Sequence, residues 1–102
     1  MLQYLLNVKR LDIKAAARRD LAEIRDFSIE RFGDKVAAAY LAGFRSAFRR
    51  ILEFPEMGSV IPEAKVITHL YIYRSHRIFY RVDKDAVLII RIIHHSRDVV
   101  EL

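Results

Sequence analysis

The 102-residue sequence contains no cysteine, only three glycines and only two prolines. The absence of cysteine excludes disulfides, thiolate metal sites and thiol nucleophiles. Its scattered glycines cannot build the glycine-rich loop that cradles a phosphate. It also lacks an apolar run of the ~20 residues that cross a bilayer, and its N-terminus lacks a signal-peptide cleavage pattern. We therefore expect a soluble protein without membrane association. We expect it in the cytoplasm, because a cysteine-free chain suits a reducing compartment.

Arginine is the residue that the chain has in excess. Lysine and arginine number 18 against 13 acidic residues, the net charge is +5, and 13 of the 18 are arginine. Arginine forms forked hydrogen bonds with carboxylates and phosphates. The bias favours an acidic partner, either protein or nucleic acid, although an ordinary basic surface has the same composition.

Two helices are predicted by apolar residues at three- and four-residue spacing. The first, residues 14–32, has the stripe Ala17, Leu21, Ile24, Phe27 or Ser28, and Phe32. The second, residues 35–54, has the stripe Ala37, Tyr40, Leu41, Phe44, Ala47, Phe48, Ile51 and Leu52. Gly33 is predicted to cap the first helix and Asp34 to be the N-cap of the second, which Pro55 ends. The short connection predicts an antiparallel helical hairpin.

Three strands are predicted at residues 66–74, 77–82 and 87–95, which are rich in Val, Ile, Tyr and Phe. Residues 75–76 and 83–85 form the turns between them, and residues 55–65 form a loop. Alternation places Ile78, Tyr80 and Val82 on one face. A further strand at residues 9–13 is predicted to pair with an edge of this meander. The fold class is therefore α+β in one domain spanning residues 1–102, with the hairpin packed on a small twisted, mainly antiparallel sheet in the order β-α-α-β-β-β.

The sequence offers few residues for catalysis and none that predicts a cofactor. His94 and His95 are neighbours on a predicted strand, so their side chains should point to opposite faces and no metal site is expected. The one enzymatic option is acid–base chemistry on RNA. In that case Arg77 would hold a phosphate while His95 and Glu56 moved protons. The alternative is that the arginines bind the carboxylates of a protein.

Four segments resemble a known family. Residues 75–82 (SHRIFYRV) resemble an "H-x-I/V-F-Y-R-V" strand, and residues 90–98 (IRIIHHSRD) resemble a strand that ends in "I-x-R-I/V-L-H-x-x-x-D". Residues 17–24 (ARRDLAEI) resemble an "A-x-x-D-L-x-x-I" helix, and residues 54–58 (FPEMG) resemble an "x-P-x-x-G" loop. Together they resemble the ParE-type toxins of the RelE/ParE superfamily of type II toxin–antitoxin modules. Residues 1–8 look like an N-terminal extension, and residues 65–68 replace the family's "G-x-R" lead-in.

The resemblance implies a non-enzymatic toxin that poisons DNA gyrase and blocks replication. It also implies a ParD-like antitoxin whose disordered tail folds onto the toxin, with operator DNA reached only through the antitoxin and with no small-molecule substrate. By position, the resemblance assigns gyrase binding to His94, Ser96, Arg97, Asp98 and the tail Val99, Val100, Glu101 and Leu102. Aromatic residues and arginines dominate interface energetics, so we expect antitoxin contacts at Tyr40, Phe44, Arg74, Arg77 and Arg81.

Two alternatives remain open from the sequence. The RelE-like branch cleaves messenger RNA on the ribosome, and Arg77, His95 and Glu56 stand near the positions of its functional residues. The tyrosine expected after that histidine is missing here, since Ser96 and Arg97 follow. The other alternative is a binding module that has lost toxicity.

Overall fold

Two helices pack against one face of a five-stranded sheet in the computed structural model, which describes residues 9–97. In chain order, the elements are β1 (Arg10–Ile13), α1 (Ala15–Phe32), α2 (Asp34–Glu53), a 3-10 turn (Pro55–Met57), β2 (Ser59–Val60), β3 (His69–Tyr73), β4 (His76–Val82) and β5 (Ala86–His94). The strand order is β1-β5-β4-β3-β2, with β1 parallel to β5 and the other pairs antiparallel. The predicted class and element order are confirmed, with β2 added inside the predicted loop. Neither helix is long and apolar enough to cross a membrane.

The core lies between α2 and the centre of the sheet. The helix contributes the buried side chains Ala37, Phe44, Ala47, Phe48 and Ile51. The sheet contributes Ile78, Tyr80, Val87, Ile89 and Ile92. Burial of each large apolar side chain in this way contributes ~1.5–3 kcal/mol to the stability of the folded state. The apolar stripe predicted for the second helix is therefore the face that holds the hairpin on the sheet.

Gly33 both ends α1 and begins α2. Its φ of 87° is a conformation that side chains with a Cβ rarely adopt. Its N–H donates to the carbonyl of Ile29 (2.9 Å), and its own carbonyl accepts from the N–H of Ala37 (3.1 Å). The prediction of Asp34 as N-cap is wrong: Asp34 is the first helical residue, and no side-chain cap bond forms at this terminus. Its negative charge in the first turn still stabilises the helix by interacting favourably with the helix dipole.

Several strand boundaries differ from prediction because local hydrogen bonds and turns compete with strand composition. β3 begins at His69, since the Thr68 hydroxyl donates to the carbonyl of Val66 (2.8 Å) and forms a local turn there. The next turn is at Arg74 and Ser75, with Arg74 at φ 51°, so His76 is the first residue of β4. β5 ends at His94.

The predicted alternation along β4 is confirmed, since Ile78 and Tyr80 lie in the core cluster and Val82 packs against it. Phe79 lies outside that cluster, beneath the Arg77 guanidinium, and is also only 2% exposed. The register shifts here, since Phe79 lies opposite Arg91 and Tyr80 lies opposite Ile89. The shift leaves one extra residue in β5, which is the pattern of a β-bulge.

Candidate protein-binding site

A groove of about 700 Å³ lies between the helical hairpin and the end of the sheet. We call it the hairpin groove. Its apolar lining consists of Ile24, Phe27, Phe32, Val36, Tyr40 and Ile92. Its polar lining consists of Asp20, Glu23, Ser28, Ser75, His76, His94, Ser96 and Arg97. Apolar walls with a few polar groups are typical of a site that binds a ligand or a segment of a partner.

The apolar residues near the turn of the hairpin are exposed. Phe27 and Phe32 are each 60% exposed, and Val36 is 53% exposed. The sequence predicted Phe27 or Ser28, and Phe32, for the core stripe of the first helix, but only Ser28 of these is buried. Periodicity identifies the side of a helix that is apolar but not where the sheet beneath it ends. A contiguous apolar patch of this kind marks a surface for a partner.

Tyr40 and His76 lie side by side in the groove wall. The Tyr40 hydroxyl is 2.7 Å from His76 Nδ1, and the two rings meet edge to face at 5.7 Å. Burial lowers the pKa of His76 to about 4, and the neighbouring rings of His94 and His95 add to the decrease. His76 is therefore neutral near pH 7, so it offers the groove a hydrogen-bonding ring without a charge.

His94 and His95 stack on each other, with their ring centres 4.5 Å apart. The prediction that they point to opposite faces is wrong, because β5 ends at His94 and His95 lies in the following turn. His94 Nδ1 is 2.7 Å from the Ser96 hydroxyl and accepts from the Ser96 N–H (3.1 Å). Among residues 9–97, no three His, Asp or Glu side chains are grouped so that they could hold a metal ion.

The Arg77 guanidinium binds backbone carbonyls of its own chain. Its Nη2 donates to the carbonyl of His94 (3.3 Å) and to that of Arg97. The guanidinium lies 5.8 Å from the ring centre of Phe79. Arg77 Nε is buried and has no partner among residues 9–97. This side chain was predicted to bind an antitoxin or, in the alternative, a phosphate, and most of its donors are unavailable for either.

The three residues of the ribonuclease alternative are not joined by hydrogen bonds or ion pairs within residues 9–97. Glu56 lies in the 3-10 turn close to Tyr80; burial raises the pKa of the Tyr80 hydroxyl, and the Glu56 carboxylate adds to the increase. Arg77 and His95 lie instead at the His94 end of the sheet.

The other predicted antitoxin contacts are dispersed. Tyr40 lines the groove, whereas Phe44 is 1% exposed and belongs to the core. Arg74 lies in the β3–β4 turn, 5.9 Å from the ring centre of Tyr73. Arg81 donates from Nε to the Thr68 hydroxyl (3.2 Å). Direct contact through Phe44 would require the hairpin to separate from the sheet, so Tyr40 is the one aromatic of the predicted pair that a partner can reach.

Three residues predicted to bind gyrase line the hairpin groove, namely His94, Ser96 and Arg97. The remaining five, Asp98, Val99, Val100, Glu101 and Leu102, lie outside the described residues. The predicted end of β5 and the exposed apolar residues of the hairpin therefore share one surface.

Comparison with known proteins identifies a family for this chain. Residues 11–99 match the family described as the ParE toxin of the type II toxin–antitoxin system parDE. The chain is 30% identical to Toxin ParE1 of Mycobacterium tuberculosis over 88 residues, which cover 85% of this chain and 90% of that protein. It is 32% identical to Toxin ParE1 of Caulobacter vibrioides over 89 residues, which cover 87% and 92%.

A solved structure of the chromosomal ParDE TA system from P. aeruginosa has the same fold. It superposes with a TM-score of 0.74, covering 86% of this chain and 97% of that one at 19% identity. At this identity the superposition establishes the fold alone. On the family match over residues 11–99 and the 30–32% identity to two ParE1 toxins, this chain belongs to the ParE toxin family of type II toxin–antitoxin systems.

Proposed function

We propose that this ParE-family toxin poisons DNA gyrase through the end of β5 and the residues after it, and that a ParD-like antitoxin neutralises it by occupying the hairpin groove. One observation carries the proposal. The exposed Phe27 and Phe32 line the same groove as Ser96 and Arg97. A partner that buries the apolar residues therefore also covers the surface assigned to gyrase.

The chemistry of the groove favours an amphipathic helix as the antitoxin segment. Such a helix buries apolar side chains at spacings of three and four residues in a groove of this kind. Arg97 lies in the groove lining, and the Arg31 guanidinium is 5.9 Å from the Phe27 ring centre, so basic groups border the apolar patch. Carboxylates on the helix would pair with these arginines, consistent with the net charge of +5.

The position of Arg77 supports a binding mechanism over the ribonuclease alternative. A phosphate-binding arginine presents its guanidinium to the substrate. Here Nη2 is bound to two backbone carbonyls and Nε is buried, while Glu56 lies beside Tyr80.

The target can be identified with the purified full-length toxin. We expect it to inhibit supercoiling by purified gyrase and to accumulate cleaved DNA, and we expect no new 5′ ends by primer extension on messenger RNA in a translating extract. Cleavage of translated RNA without an effect on gyrase would establish the ribonuclease alternative. Inactivity in both assays, combined with tight antitoxin binding, would establish a non-toxic binding module.

The antitoxin site can be tested with two variants of matched exposure. Phe32→Ser removes an aromatic side chain from the groove, whereas Phe54→Ser removes one that is 59% exposed and lies outside it. We expect Phe32→Ser to weaken binding of a ParD-like antitoxin by about 30-fold, as for a typical interface hot spot. Phe54→Ser should leave affinity within about twofold. Equal affinities for the two variants would remove the hairpin groove from the interface.

A further inference from the structure

Arg77 lies where it can control the end of β5. In the sheet it is paired with Ile72 on one side and with Ile93 on the other. Its guanidinium extends beyond Ile93 to the carbonyls of His94 and Arg97, which are the last strand residue and the last described residue. One side chain therefore spans the whole turn that follows β5.

Other contacts restrain the start of the turn: His94 bonds to Ser96 through Nδ1, and its ring stacks on that of His95. The last residue of the turn, Arg97, has fewer. The Arg97 N–H donates to the carbonyl of His94 (3.0 Å), the same carbonyl that accepts from Arg77. The His95 N–H donates to the carbonyl of Ser75 (2.8 Å). Within residues 9–97, the bonds recorded for the backbone of Arg97 run to His94 and to Arg77. Among residues 9–97, loss of the guanidinium would leave the backbone of Arg97 with one hydrogen bond, to His94.

The ring of Phe79 supports the Arg77 guanidinium. The guanidinium lies over the ring of Phe79, which is 2% exposed and therefore fixed. A planar cation on an aromatic face loses less freedom than a mobile ammonium would, and it can donate to two carbonyls at once. Because its Nε is buried, a partner cannot approach that edge of the group.

We propose that Arg77 is a positioning residue for target binding: it fixes the turn of residues 94–97 and thereby the direction in which the chain leaves the sheet. It acts through the turn and does not itself contact the target. This inference rests on the proposed function, in which the end of β5 and the following residues bind gyrase. It reassigns the arginine for which the sequence predicted a role in direct contact.

Backbone amide exchange in the full-length protein tests the structural part of the proposal. In Arg77→Gln we expect exchange at Arg97 to accelerate about tenfold or more, as the loss of a charge-assisted hydrogen bond predicts. Phe79→Leu, which removes the ring beneath the guanidinium, should accelerate it less. The matched control is Arg81→Gln, four residues further along β4, whose Nε contacts the Thr68 hydroxyl instead. Unchanged exchange at Arg97 in Arg77→Gln would overturn the proposal, whatever the target is.

A double-mutant cycle on toxicity tests the functional part. We expect Arg77→Gln to reduce gyrase inhibition and growth inhibition about tenfold. The triple change Val99→Ser, Val100→Ser and Leu102→Ser should reduce both by a similar factor. Combining the two sets of changes should cause little further loss. Fully additive losses would show that Arg77 acts independently of the chain end and would overturn the inference. A wild-type toxin that stops growth without affecting gyrase would refute the proposed target, while the growth cycle would still decide the role of Arg77.

Discussion

Asp20 in α1 accepts two hydrogen bonds from the guanidinium of Arg91 in β5. Arg91 Nε is 2.8 Å from Oδ2, and Nη2 is 3.1 Å from Oδ1. Oδ2 also accepts from the N–H of Ile92 (2.8 Å). The side chains are 9% and 25% exposed, and the Asp20 hydrogen bond raises the pKa of Arg91. This ion pair fastens the first helix to the strand that ends in the hairpin groove.

Asp20→Asn should lower the free energy of unfolding by about 3 kcal/mol, because removing one charge of a buried pair leaves the other without compensation. Urea denaturation at neutral pH measures the change. The control is Glu30→Gln, a carboxylate exposed on the same helix, which should change stability by no more than about 0.5 kcal/mol. A loss below about 1 kcal/mol for Asp20→Asn would mean that the pair is solvated and belongs with surface salt bridges.

Both members of this pair lie in segments from which the sequence predicted the family, yet the sequence did not predict that they meet. Asp20 is the acidic residue of the helix motif and Arg91 is the arginine of the last strand motif. Contact between residues 71 positions apart depends on how the helix sits on the sheet. The periodicity of α2 predicted its buried face correctly, because apolar spacing and packing give the same answer there. In α1 it failed at Phe27 and Phe32, where the helix face lines a groove.

The sequence named some residues of the candidate site but did not predict the groove that joins them. His94, Ser96 and Arg97, which the family motif assigned to gyrase binding, line the groove, and that role stays a prediction. The exposed hairpin residues had no signal of their own, since a phenylalanine in an apolar stripe has the same pattern whether it meets a sheet or a partner.

The loop after α2 depends on the hydroxyl of Tyr80. This buried group donates to the carbonyl of Pro55 (2.8 Å) and accepts from the N–H of Gly58 (2.9 Å). Tyr80→Phe should lower the free energy of unfolding by about 2 kcal/mol, because both backbone groups lose a partner in a region with little water. Thermal or urea denaturation measures it. Tyr71→Phe is the control, since no side-chain hydrogen bond of Tyr71 is recorded within residues 9–97; equal losses for the two variants would contradict this role of the hydroxyl.

Gly43 allows the ring of Tyr73 to lie against α2. A Cβ at this position would be 1.8 Å from Tyr73 Oη, and that hydroxyl is held by its bond to the carbonyl of Tyr40 (2.9 Å). Alanine is the better helix former by ~1 kcal/mol, yet overpacking costs about 1–3 kcal/mol, so Gly43→Ala should lower the melting temperature. In a Tyr73→Leu background, the same change should become neutral or stabilising. A stabilising effect of Gly43→Ala alone would show that the ring moves aside freely.

Acid should destabilise the protein through His76. Its pKa is about 4 in the folded state against 6.5 ordinarily, so the unfolded chain binds more protons between these values. The contribution of His76 to the free energy of unfolding is therefore fully present above about pH 6.5 and is lost as the pH falls towards about 4. The groups around it are the Tyr40 hydroxyl, the rings of His94 and His95, which oppose its protonation, and Asp20, which favours it.

His76→Gln retains a polar group beside Tyr40 but does not titrate, so it isolates this contribution. We expect the free energy of unfolding of the wild-type protein to fall more steeply than that of the variant between pH 6.5 and pH 4, at constant ionic strength. Above pH 6.5 the two curves should run parallel, because His76 is neutral in both the folded and the unfolded chain. Parallel curves across the whole range would contradict this prediction, because they would mean that His76 binds a proton as readily in the folded protein as in water. The groove wall around the Tyr40–His76 contact would then have to be open to solvent.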